Sequence, residues 1–292
     1  MSAKIIDGKA IAKKVRAEVR EEAEKLKAQG IEPYLAVILV GDDPASQVYV
    51  RNKEKAAEKV GILTTTHRLP ADVPEGEVRD LIHKLNEDPK VHGILIQLPL
   101  PKHLPERELL ELVDPRKDAD GFHPYNLGRL LMGAPTQLPC TPNGIIRLLD
   151  EEGIEIKGKD AVVVGRSVIV GKPVGLLLLS RHATVTTCHT RTRDLAEHTR
   201  RADILIVAAG RPKVVGADMV KEGAVVIDVG VNRLEDGSLC GDVDFEAVKE
   251  KASYITPVPG GVGPMTVAML LKNTVEIAKK LEKGVKNYED RH

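Results

Sequence analysis

The sequence predicts an α/β protein of two domains: an N-terminal α/β catalytic domain and a C-terminal Rossmann-like doubly wound parallel sheet. Short apolar runs alternate with segments of helical periodicity, an order that is typical of parallel sheets. The chain of 292 residues also exceeds the usual size of one hydrophobic core. We expect residues 1–138 and 265–292 to form the first domain and residues 139–264 to form the second.

The first half of the chain alternates helices with strands. Residues 8–29 repeat apolar positions at helical spacing, and the run YLAVILVG at 34–41 predicts a buried strand. After these come a helix, then a short strand at 62–68, a helix at 74–86, a strand at 93–101 and a short helix at 105–113. Residues 114–142 are rich in Pro, Gly, Asp and Asn, so we expect an irregular functional loop and the domain boundary there.

The second half of the chain, from about residue 160, repeats the alternation of strands and helices. The predicted elements are a strand from 160 that ends at Gly165, a helix from about 172, a strand at 183–189, a helix near 194, and strands at 202–210 and 224–230. The last helix, at 265–282, follows a Pro and Gly cluster, and we expect it to pack back on the first domain. This order is typical of a nucleotide-binding domain.

The composition excludes several classes of function. Lys and Arg total 43 and Asp and Glu total 43, so no net charge draws the chain to nucleic acid or to an anionic membrane. Cys140, Cys188 and Cys240 are far apart and lack C-x-x-C spacing, which argues against a disulfide framework and against a zinc site. The first residues lack the ~7 to 15 residue apolar run of a signal peptide, and no apolar run approaches the ~20 residues of a membrane span, so we expect neither feature. We expect a cytoplasmic protein.

A glycine-rich turn follows the first strand of the second domain. Gly165 ends that strand, and RSVIVGKPVG then leads into a helix, an arrangement that cradles a pyrophosphate with backbone N–H groups. Gly171 and Gly175 are further candidates, and Pro173 indicates a longer loop before the helix. The spacing is not G-x-G-x-x-G, so a plain βα turn remains the alternative.

The next strand indicates which dinucleotide binds. An NAD site usually carries an acidic residue about 20 residues past the glycines. Here the strand runs instead into His189, Thr190 and Arg191, which suit a phosphate. Together with Arg166, they favour NADP over NAD. The alternative is that Arg191 and Arg193 are ordinary surface charges.

A lysine and a tyrosine lie one turn apart on the predicted helix after residue 43. One side of this helix carries Ser46, Tyr49, Lys53, Ala56, Ala57 and Val60. The lysine stem could simply pack while its ammonium stays in water. Partial burial would instead disfavour the charged form of Lys53, and the phenol of Tyr49 offers a second exchangeable proton. The pair therefore predicts acid/base chemistry.

Two further polar residues accompany apolar segments. Gln97 follows a buried strand, at the edge where parallel sheets bind ligands, although a solvent-exposed glutamine would fit the same position. Asp120 could be a turn-former, or a carboxylate that binds a heterocycle through adjacent N–H donors. We interpret His123 as structural.

Five motifs occur in the order of one known family: SQVYVRNK, GILIQLPLP, DADGFHPYNLG, VVVGRSVIVGKPVG and PVPGGVGPMT. Over residues 1–282 the chain resembles the bifunctional methylenetetrahydrofolate dehydrogenase/methenyltetrahydrofolate cyclohydrolase family. The resemblance implies that NADP⁺ oxidises 5,10-methylenetetrahydrofolate to the methenyl cation, which is then hydrolysed to 10-formyltetrahydrofolate, a step of one-carbon metabolism that serves purine biosynthesis.

The resemblance also assigns roles. Lys53 would be the central catalytic group, Tyr49 its partner over the folate, Gln97 the group that positions Lys53, and Asp120 the ligand of the pterin ring. The remaining substrate-binding positions would be Leu98, Pro99, Gly260, Gly261 and Pro264. The cofactor would contact Gly165, Arg166, Ser167, Ile169, Gly171, Pro173, Thr190, Arg191 and Val231. Many relatives have serine in place of Thr190, a change that keeps the hydroxyl.

Other interpretations remain open at this point. The chain could be a dehydrogenase without useful cyclohydrolase activity, or a noncatalytic NADP-binding module, which fold and glycines alone allow. The noncatalytic reading leaves Tyr49, Lys53, Gln97 and Asp120 unexplained. The resemblance further implies a homodimer that is joined through the nucleotide-binding domains, although no coiled-coil heptads are present.

Overall fold

The computed structural model describes residues 2–289, and the side chains of residues 2–282. It divides into two compact units. The three-stranded unit comprises Lys14–Leu138 and the residues from Val267 onward, and the six-stranded unit comprises Pro139–Thr266 and the N-terminal residues up to Lys13. Among the helices of the described residues, none has both the length and the apolar character that a membrane span requires.

The elements follow one another along the chain as the alternating pattern predicts. The first ten are β1 (Lys4–Ile5), α1 (Gly8–Lys27), β2 (Tyr34–Val40), α2 (Pro44–Lys59), β3 (Leu63–Leu69), α3 (Glu75–Glu87), β4 (Gly93–Ile96), α4 (Glu106–Leu112), α5 (Pro124–Leu131) and α6 (Cys140–Glu151). The others are β5 (Asp160–Val164), α7 (Gly171–Ser180), β6 (Thr184–Cys188), α8 (Leu195–Thr199), β7 (Ile204–Val207), β8 (Val225–Asp228), β9 (Asn232–Arg233), β10 (Leu239–Cys240), α9 (Phe245–Val248), β11 (Tyr254–Ile255) and α10 (Val262–Glu289).

The three-stranded unit is built on a parallel sheet of order β3-β2-β4. The central strand β2 is apolar throughout, and its residues from Leu35 to Val40 are buried, as expected for a strand covered on both faces. The edge strand β3 is polar and only partly buried. Because all three strands run in the same direction, their carboxyl ends meet at one edge, where loops can assemble a site.

The end of α10 belongs to the three-stranded unit, as predicted. The side chain of Asn273 donates hydrogen bonds of 2.9 Å to the carbonyl oxygens of Ala119 and Leu138. Apolar residues of this helix, including Leu270, Leu271 and Ile277, are buried.

The six-stranded unit is a parallel sheet of order β1-β11-β8-β7-β5-β6. Strand β5 lies between β6 and β7. The sheet therefore grows from β5 to one side with β6 and to the opposite side with β7 and β8. Such a reversal opens a crevice at the carboxyl ends of the strands, which is where doubly wound sheets bind nucleotides. The Rossmann-like prediction is confirmed in this unit.

The N-terminal residues differ from the sequence-based division. Residues 1–13 were assigned to the first domain, yet β1 pairs with β11, in the register Lys4 with Tyr254 and Ile5 with Ile255. A strand of two exposed residues carries no periodic signal, so its partner cannot be inferred from local sequence.

Two local predictions were wrong. Strand β4 ends at Ile96 rather than near 101, because the prolines at 99 and 101 cannot donate to a sheet ladder. The segment 114–142 is not wholly irregular, since it contains α5 and the start of α6. Pro124 occupies the first turn of α5, and His123 caps it by accepting a hydrogen bond from the Tyr125 N–H, in keeping with a structural role for His123.

Candidate active site

Helix α2 places a lysine at the carboxyl edge of the three-stranded sheet. Asp43 caps the helix by accepting a 2.7 Å hydrogen bond from the Ser46 N–H, and Pro44 follows at the first helical position. Val50 and Ala57 are buried beneath the helix, and Lys53 is partly buried. The cap and the buried face together set the rotation of the helix, and therefore the position of Lys53.

Gln97 meets this lysine from the end of β4. Its backbone N–H donates to the Ile38 carbonyl at 2.9 Å, which continues the pairing of β4 with β2. Its side-chain Nε2 donates to the Leu98 carbonyl at 2.7 Å, and its Oε1 accepts a 2.9 Å hydrogen bond from Lys53 Nζ. Because both ends of the amide are bonded, Gln97 presents a fixed acceptor to Lys53. Gln97 is 9% exposed, so it is not a glutamine in solvent.

Tyr49 lies differently from the predicted apolar stripe of α2. Half of its surface is exposed (50%), and Val50 occupies the buried face instead. The prediction that Tyr49 shares the packed side of the helix was wrong, although Ser46, Ala57 and Val60 of the same predicted stripe are buried. The exposed ring is consequently available to a ligand. Beyond Gln97, Leu98 is partly buried and Pro99 is exposed.

Asp120 lies in the loop that follows α4. Burial raises the pKa of its carboxyl from 3.8 to about 6, with the Lys53 ammonium opposing the rise and the Asp118 carboxylate adding to it. Asp118 pairs with Ile94, which places residue 120 level with Ile96, directly before the Gln97 that binds Lys53. The structure thus brings Lys53, Gln97 and Asp120 together at one edge of the three-stranded unit.

Sequence reasoning missed Asp118, which organises the same loop. Its buried carboxylate accepts hydrogen bonds from the backbone N–H groups of Gly121 (2.9 Å) and His123 (2.8 Å) and from Asn126 Nδ2 (2.9 Å). The signal available in the sequence was D-A-D-G, in which the first aspartate can accept the N–H of a residue three positions later.

The six-stranded unit carries the glycine turn between β5 and α7. Gly165 has a φ of 131°, and a Cβ atom at this position would overlap the carbonyl oxygen of Ala208, which follows β7. A Cβ on Gly171 would likewise overlap the carbonyl oxygen of Gly165. Both positions therefore require glycine, and the turn closes at the crevice between β5 and β7.

The residues within this turn divide into exposed and packed positions. Arg166, Ser167 and Ile169 are exposed, as a ligand site requires. Ser167 Oγ accepts hydrogen bonds from the N–H groups of Val170 (3.1 Å) and Gly171 (3.3 Å), which shapes the start of α7. Pro173 and Gly175 are buried within the helix, where they support packing against the sheet.

A second tight turn follows β6. The N–H of Arg191 donates to Nδ1 of His189 at 3.1 Å, and the N–H of His189 donates to Oγ1 of Thr192 at 2.8 Å. These bonds leave the side chains of Thr190 and Arg191 exposed. A hydroxyl and a guanidinium presented together can bind a phosphate group.

Two buried carboxylates, which sequence reasoning also missed, close the loops after β7 and β8. Asp242 accepts the N–H groups of residues 209, 210 and 211 at 2.6 to 2.9 Å. Asp228 accepts those of residues 230, 242 and 243 at 2.9 to 3.0 Å. This network positions Val231, which is 50% exposed and follows the carboxyl end of β8.

Gly260 and Gly261 precede α10 in the six-stranded unit. Gly260 has a φ of 112°, and a Cβ on Gly8, at the start of α1, would overlap the carbonyl oxygen of Gly261. Gly8 therefore supports this loop by close backbone contact, a role that sequence reasoning missed. Pro264 is partly buried in the first turn of α10.

Comparison with known proteins distinguishes a bifunctional enzyme from a dehydrogenase alone and from a noncatalytic NADP-binding module. The family model for the NAD(P)-binding domain of tetrahydrofolate dehydrogenase/cyclohydrolase matches residues 139–282, and the model for the catalytic domain matches residues 6–120. The chain belongs to the tetrahydrofolate dehydrogenase/cyclohydrolase family.

Members of the tetrahydrofolate dehydrogenase/cyclohydrolase family resemble the chain over nearly its whole length. Bifunctional protein FolD of Moorella thermoacetica is 61% identical over 280 residues, which cover 96% of this chain and 100% of that protein. The crystal structure of the FolD enzyme from Campylobacter jejuni is 53% identical, covers 96% of this chain and 99% of that one, and has a TM-score of 0.94. The Trypanosoma brucei FolD structure, a complex with NADP cofactor and inhibitor, is 42% identical, covers 96% and 98%, and has a TM-score of 0.92.

These findings confirm the predicted tetrahydrofolate dehydrogenase/cyclohydrolase membership and the two-domain α/β fold. They also confirm a bifunctional enzyme, a dehydrogenase and cyclohydrolase with NADP as its cofactor. The readings as a dehydrogenase alone and as a noncatalytic module are thereby set aside. The roles of individual residues remain predictions.

Proposed function

We propose that this chain oxidises 5,10-methylenetetrahydrofolate with NADP⁺ and hydrolyses the methenyl product, with Lys53, Tyr49, Gln97 and Asp120 as its catalytic residues. The observation that carries the proposal is the 2.9 Å hydrogen bond from Lys53 Nζ to Gln97 Oε1, at the carboxyl edge of a parallel sheet. The amide oxygen of Gln97 orients the lysine without carrying a charge. A carboxylate in its place would stabilise the ammonium and prevent the lysine from acting as a base.

Asp120 serves as the ligand of the pterin ring. In its ionised form the carboxylate accepts two adjacent N–H donors from the heterocycle, a pairing that only an anion with two free oxygens provides. The exposed ring of Tyr49 offers an apolar face to the folate, and Leu98 and Pro99 extend this surface beyond Gln97. Gly260, Gly261 and Pro264 are proposed as further folate contacts.

The six-stranded unit fits NADP. A Cβ at Gly165 or Gly171 would fill the turn, so the backbone there can approach a pyrophosphate closely. Arg166, Ser167 and Ile169 are the exposed positions of this turn, Thr190 and Arg191 suit the 2′-phosphate, and Val231 borders the crevice. When bound, NADP⁺ supplies the acceptor for the hydride that leaves the methylene carbon of the folate. The residues of the chain assist this hydride transfer by positioning the folate and the cofactor.

Hydrolysis requires a base. A water molecule adds to the methenyl carbon of the folate cation and must lose one proton to a base. The bond from this carbon to N5 then opens while the remaining hydroxyl proton passes to N5, and 10-formyltetrahydrofolate forms. Neutral Lys53 accepts that proton, directly or through the phenol of Tyr49, and Gln97 then holds the ammonium. The positive charge of the substrate favours the neutral form of the lysine by like-charge repulsion.

Lys53→Met tests the assignment in two separate assays. We expect the decay of methenyltetrahydrofolate to fall to the uncatalysed rate, because methionine packs like the lysine stem but accepts no proton. Gln97→Met is the matched variant, and we expect it to slow hydrolysis less because the lysine remains. Full hydrolytic activity in Lys53→Met would refute the role of Lys53, and absence of NADP⁺ reduction in the wild-type protein would refute the dehydrogenase reaction.

We also propose that the protein is a cytoplasmic homodimer that is joined through its six-stranded units. The hairpin formed by β9 and β10 exposes the apolar side chains of Leu234 and Leu239, each 37% exposed, next to Val231. A two-stranded ribbon with exposed apolar residues gains stability by pairing with a second copy. None of the three cysteines forms a disulfide, which suits a reducing compartment.

A further inference from the structure

The segment that carries Asp120 runs beside β4 as a short extension of the three-stranded sheet. The N–H of Ile94 donates to the Lys117 carbonyl at 2.8 Å, and the N–H of Ala119 donates to the Ile94 carbonyl at 3.3 Å. Asn273 holds the same segment from α10 through the carbonyl of Ala119. Residue 120 is thereby carried to the carboxyl end of β4, close to Gln97.

The carboxylate of Asp118 then closes the loop around Asp120. It is 6% exposed and binds donors from three places beyond Asp120, at Gly121, His123 and Asn126. Asn126 is itself fixed, because its Oδ1 accepts a 2.6 Å hydrogen bond from Thr136 and its Nδ2 also donates to the Pro115 carbonyl at 2.9 Å. The hydrogen bonds of the Asp118 carboxylate consequently fix the loop on both sides of Asp120.

The two aspartates also share an environment. Both line a small cavity walled by apolar residues of β4 and α4, among them Ile94, Ile96 and Leu110. The residues of β4 and α4 that line this cavity carry no charge. Asp118 and His123 line it from the loop of Asp120, and Lys53 of α2 interacts electrostatically with Asp120. In such surroundings the charge of Asp118 acts on Asp120 with little screening.

We propose that Asp118 is a positioning residue for folate recognition, which holds Asp120 in place for contact with the pterin ring. The inference rests on the proposed function of Asp120 as the pterin ligand. It assigns to Asp118 two effects that a residue serving only the fold would not have. One is on the affinity for folate, and the other is on the pH dependence of that affinity.

The direction of the pH effect follows from the charges. The negative charge of Asp118 helps to hold the pKa of Asp120 at about 6, so in the wild-type protein folate affinity falls as the pH drops below about 6 and Asp120 takes up a proton. Removing the charge of Asp118 lowers the pKa of Asp120. The loss of affinity should then occur at a lower pH.

Asp118→Asn tests both effects. The dissociation constant for tetrahydrofolate is measured by calorimetry between pH 5 and 8 in wild type, Asp118→Asn, Asp120→Asn and the double variant. At pH 7.5 we expect Asp118→Asn to weaken binding by about tenfold or more, because the amide cannot accept all three donors and the loop shifts. We also expect the acid limb of the Asp118→Asn profile, the range in which folate affinity falls with pH, to move to lower pH. In the Asp120→Asn background, Asp118→Asn should have no further effect.

The outcomes separate the two proposals. Wild-type affinity in Asp120→Asn would refute Asp120 as the pterin ligand. Weak binding in Asp120→Asn, together with an unchanged affinity and acid limb in Asp118→Asn, would overturn the inference about Asp118 alone. Additive effects in the double variant would overturn it as well. If Asp118→Asn does not fold, Asn126→Ala replaces it: that variant removes one donor to Asp118, and it should weaken tetrahydrofolate binding only while Asp120 is present.

Discussion

A Cβ atom on Gly171 would overlap the carbonyl oxygen of Gly165, so the two residues can approach only because Gly171 carries no side chain. The contact closes the turn at the start of α7, where the cofactor pyrophosphate is proposed to lie. Gly175, one helical turn later, differs: the nearest atoms to its added Cβ would be Val185 Cγ1 at 3.7 Å and Thr187 Oγ1 at 3.9 Å, an ordinary contact.

Gly171→Ala is therefore expected to open the turn and to raise the KM for NADP⁺ by about tenfold or more. Hydrolysis of methenyltetrahydrofolate, assayed without cofactor, should keep the wild-type rate because Lys53 lies in the other unit. Gly175→Ala is the control, and it should leave the KM for NADP⁺ unchanged. An unchanged KM in Gly171→Ala would show that the turn does not bind the cofactor.

Arg191→Ser is expected to reduce the preference for NADP⁺ over NAD⁺. The exposed guanidinium follows a turn that is fixed by His189, and a charge-assisted bond to a phosphate contributes about 1.5–3 kcal/mol. The ratio of kcat/KM for the two cofactors should fall by about ten- to a hundredfold. Arg193→Ser, which removes a neighbouring exposed arginine, should change the ratio little. Equal effects of the two variants would indicate a general effect of positive charge.

Asp228 is expected to make the stability of the protein depend on pH in an unusual direction. Burial raises the pKa of its carboxyl from 3.8 to about 6; three backbone N–H groups oppose the rise and the charge of Asp242 adds to it. The folded chain thus binds this proton more tightly than the unfolded chain does. The contribution of Asp228 to the free energy of unfolding is complete below the unfolded pKa and is lost as the pH rises through about 6.

Urea unfolding of wild type and Asp228→Asn between pH 7 and 4 measures this contribution. As the pH falls, the difference in free energy of unfolding, wild type minus variant, should increase by about 2–3 kcal/mol. Other titrating groups, such as the partly buried Glu22, are present in both proteins and cancel in the difference. A difference that stays constant over this range would show that Asp228 is already protonated, or remains ionised, throughout.

Leu239→Asp is expected to separate the proposed homodimer into monomers. A carboxylate on the exposed face of the β9–β10 hairpin would have to be buried without a partner in the interface. Sedimentation velocity measures the change. Leu131→Asp is the control: Leu131 is 69% exposed but belongs to the three-stranded unit, so this variant should sediment as wild type does. Dissociation by Leu131→Asp alone would place the interface elsewhere.

Local sequence patterns determined most of the architecture and the identity of the candidate residues. Apolar runs predicted β2, β5, β7 and β8, because a strand covered on both faces must be apolar throughout. Helical spacing identified Lys53, and the glycines around residue 165 indicated the cofactor turn. Each of these signals lies within about 20 residues, which is the range over which periodicity and turn chemistry act.

Tertiary structure decided how those residues meet. Lys53 and Gln97 are 44 residues apart, and only the packing of α2 over the sheet, with Val50 rather than Tyr49 on the buried face, brings Nζ within 2.9 Å of Oε1. Three buried carboxylates have roles that depend on the backbone N–H groups of the loops that they bind, namely those of Asp118, Asp228 and Asp242. The pairing of β1 with β11 joins two segments that are far apart in the sequence. Contacts between distant segments leave no periodic trace in the sequence, because they depend on the sum of the packing rather than on neighbouring residues.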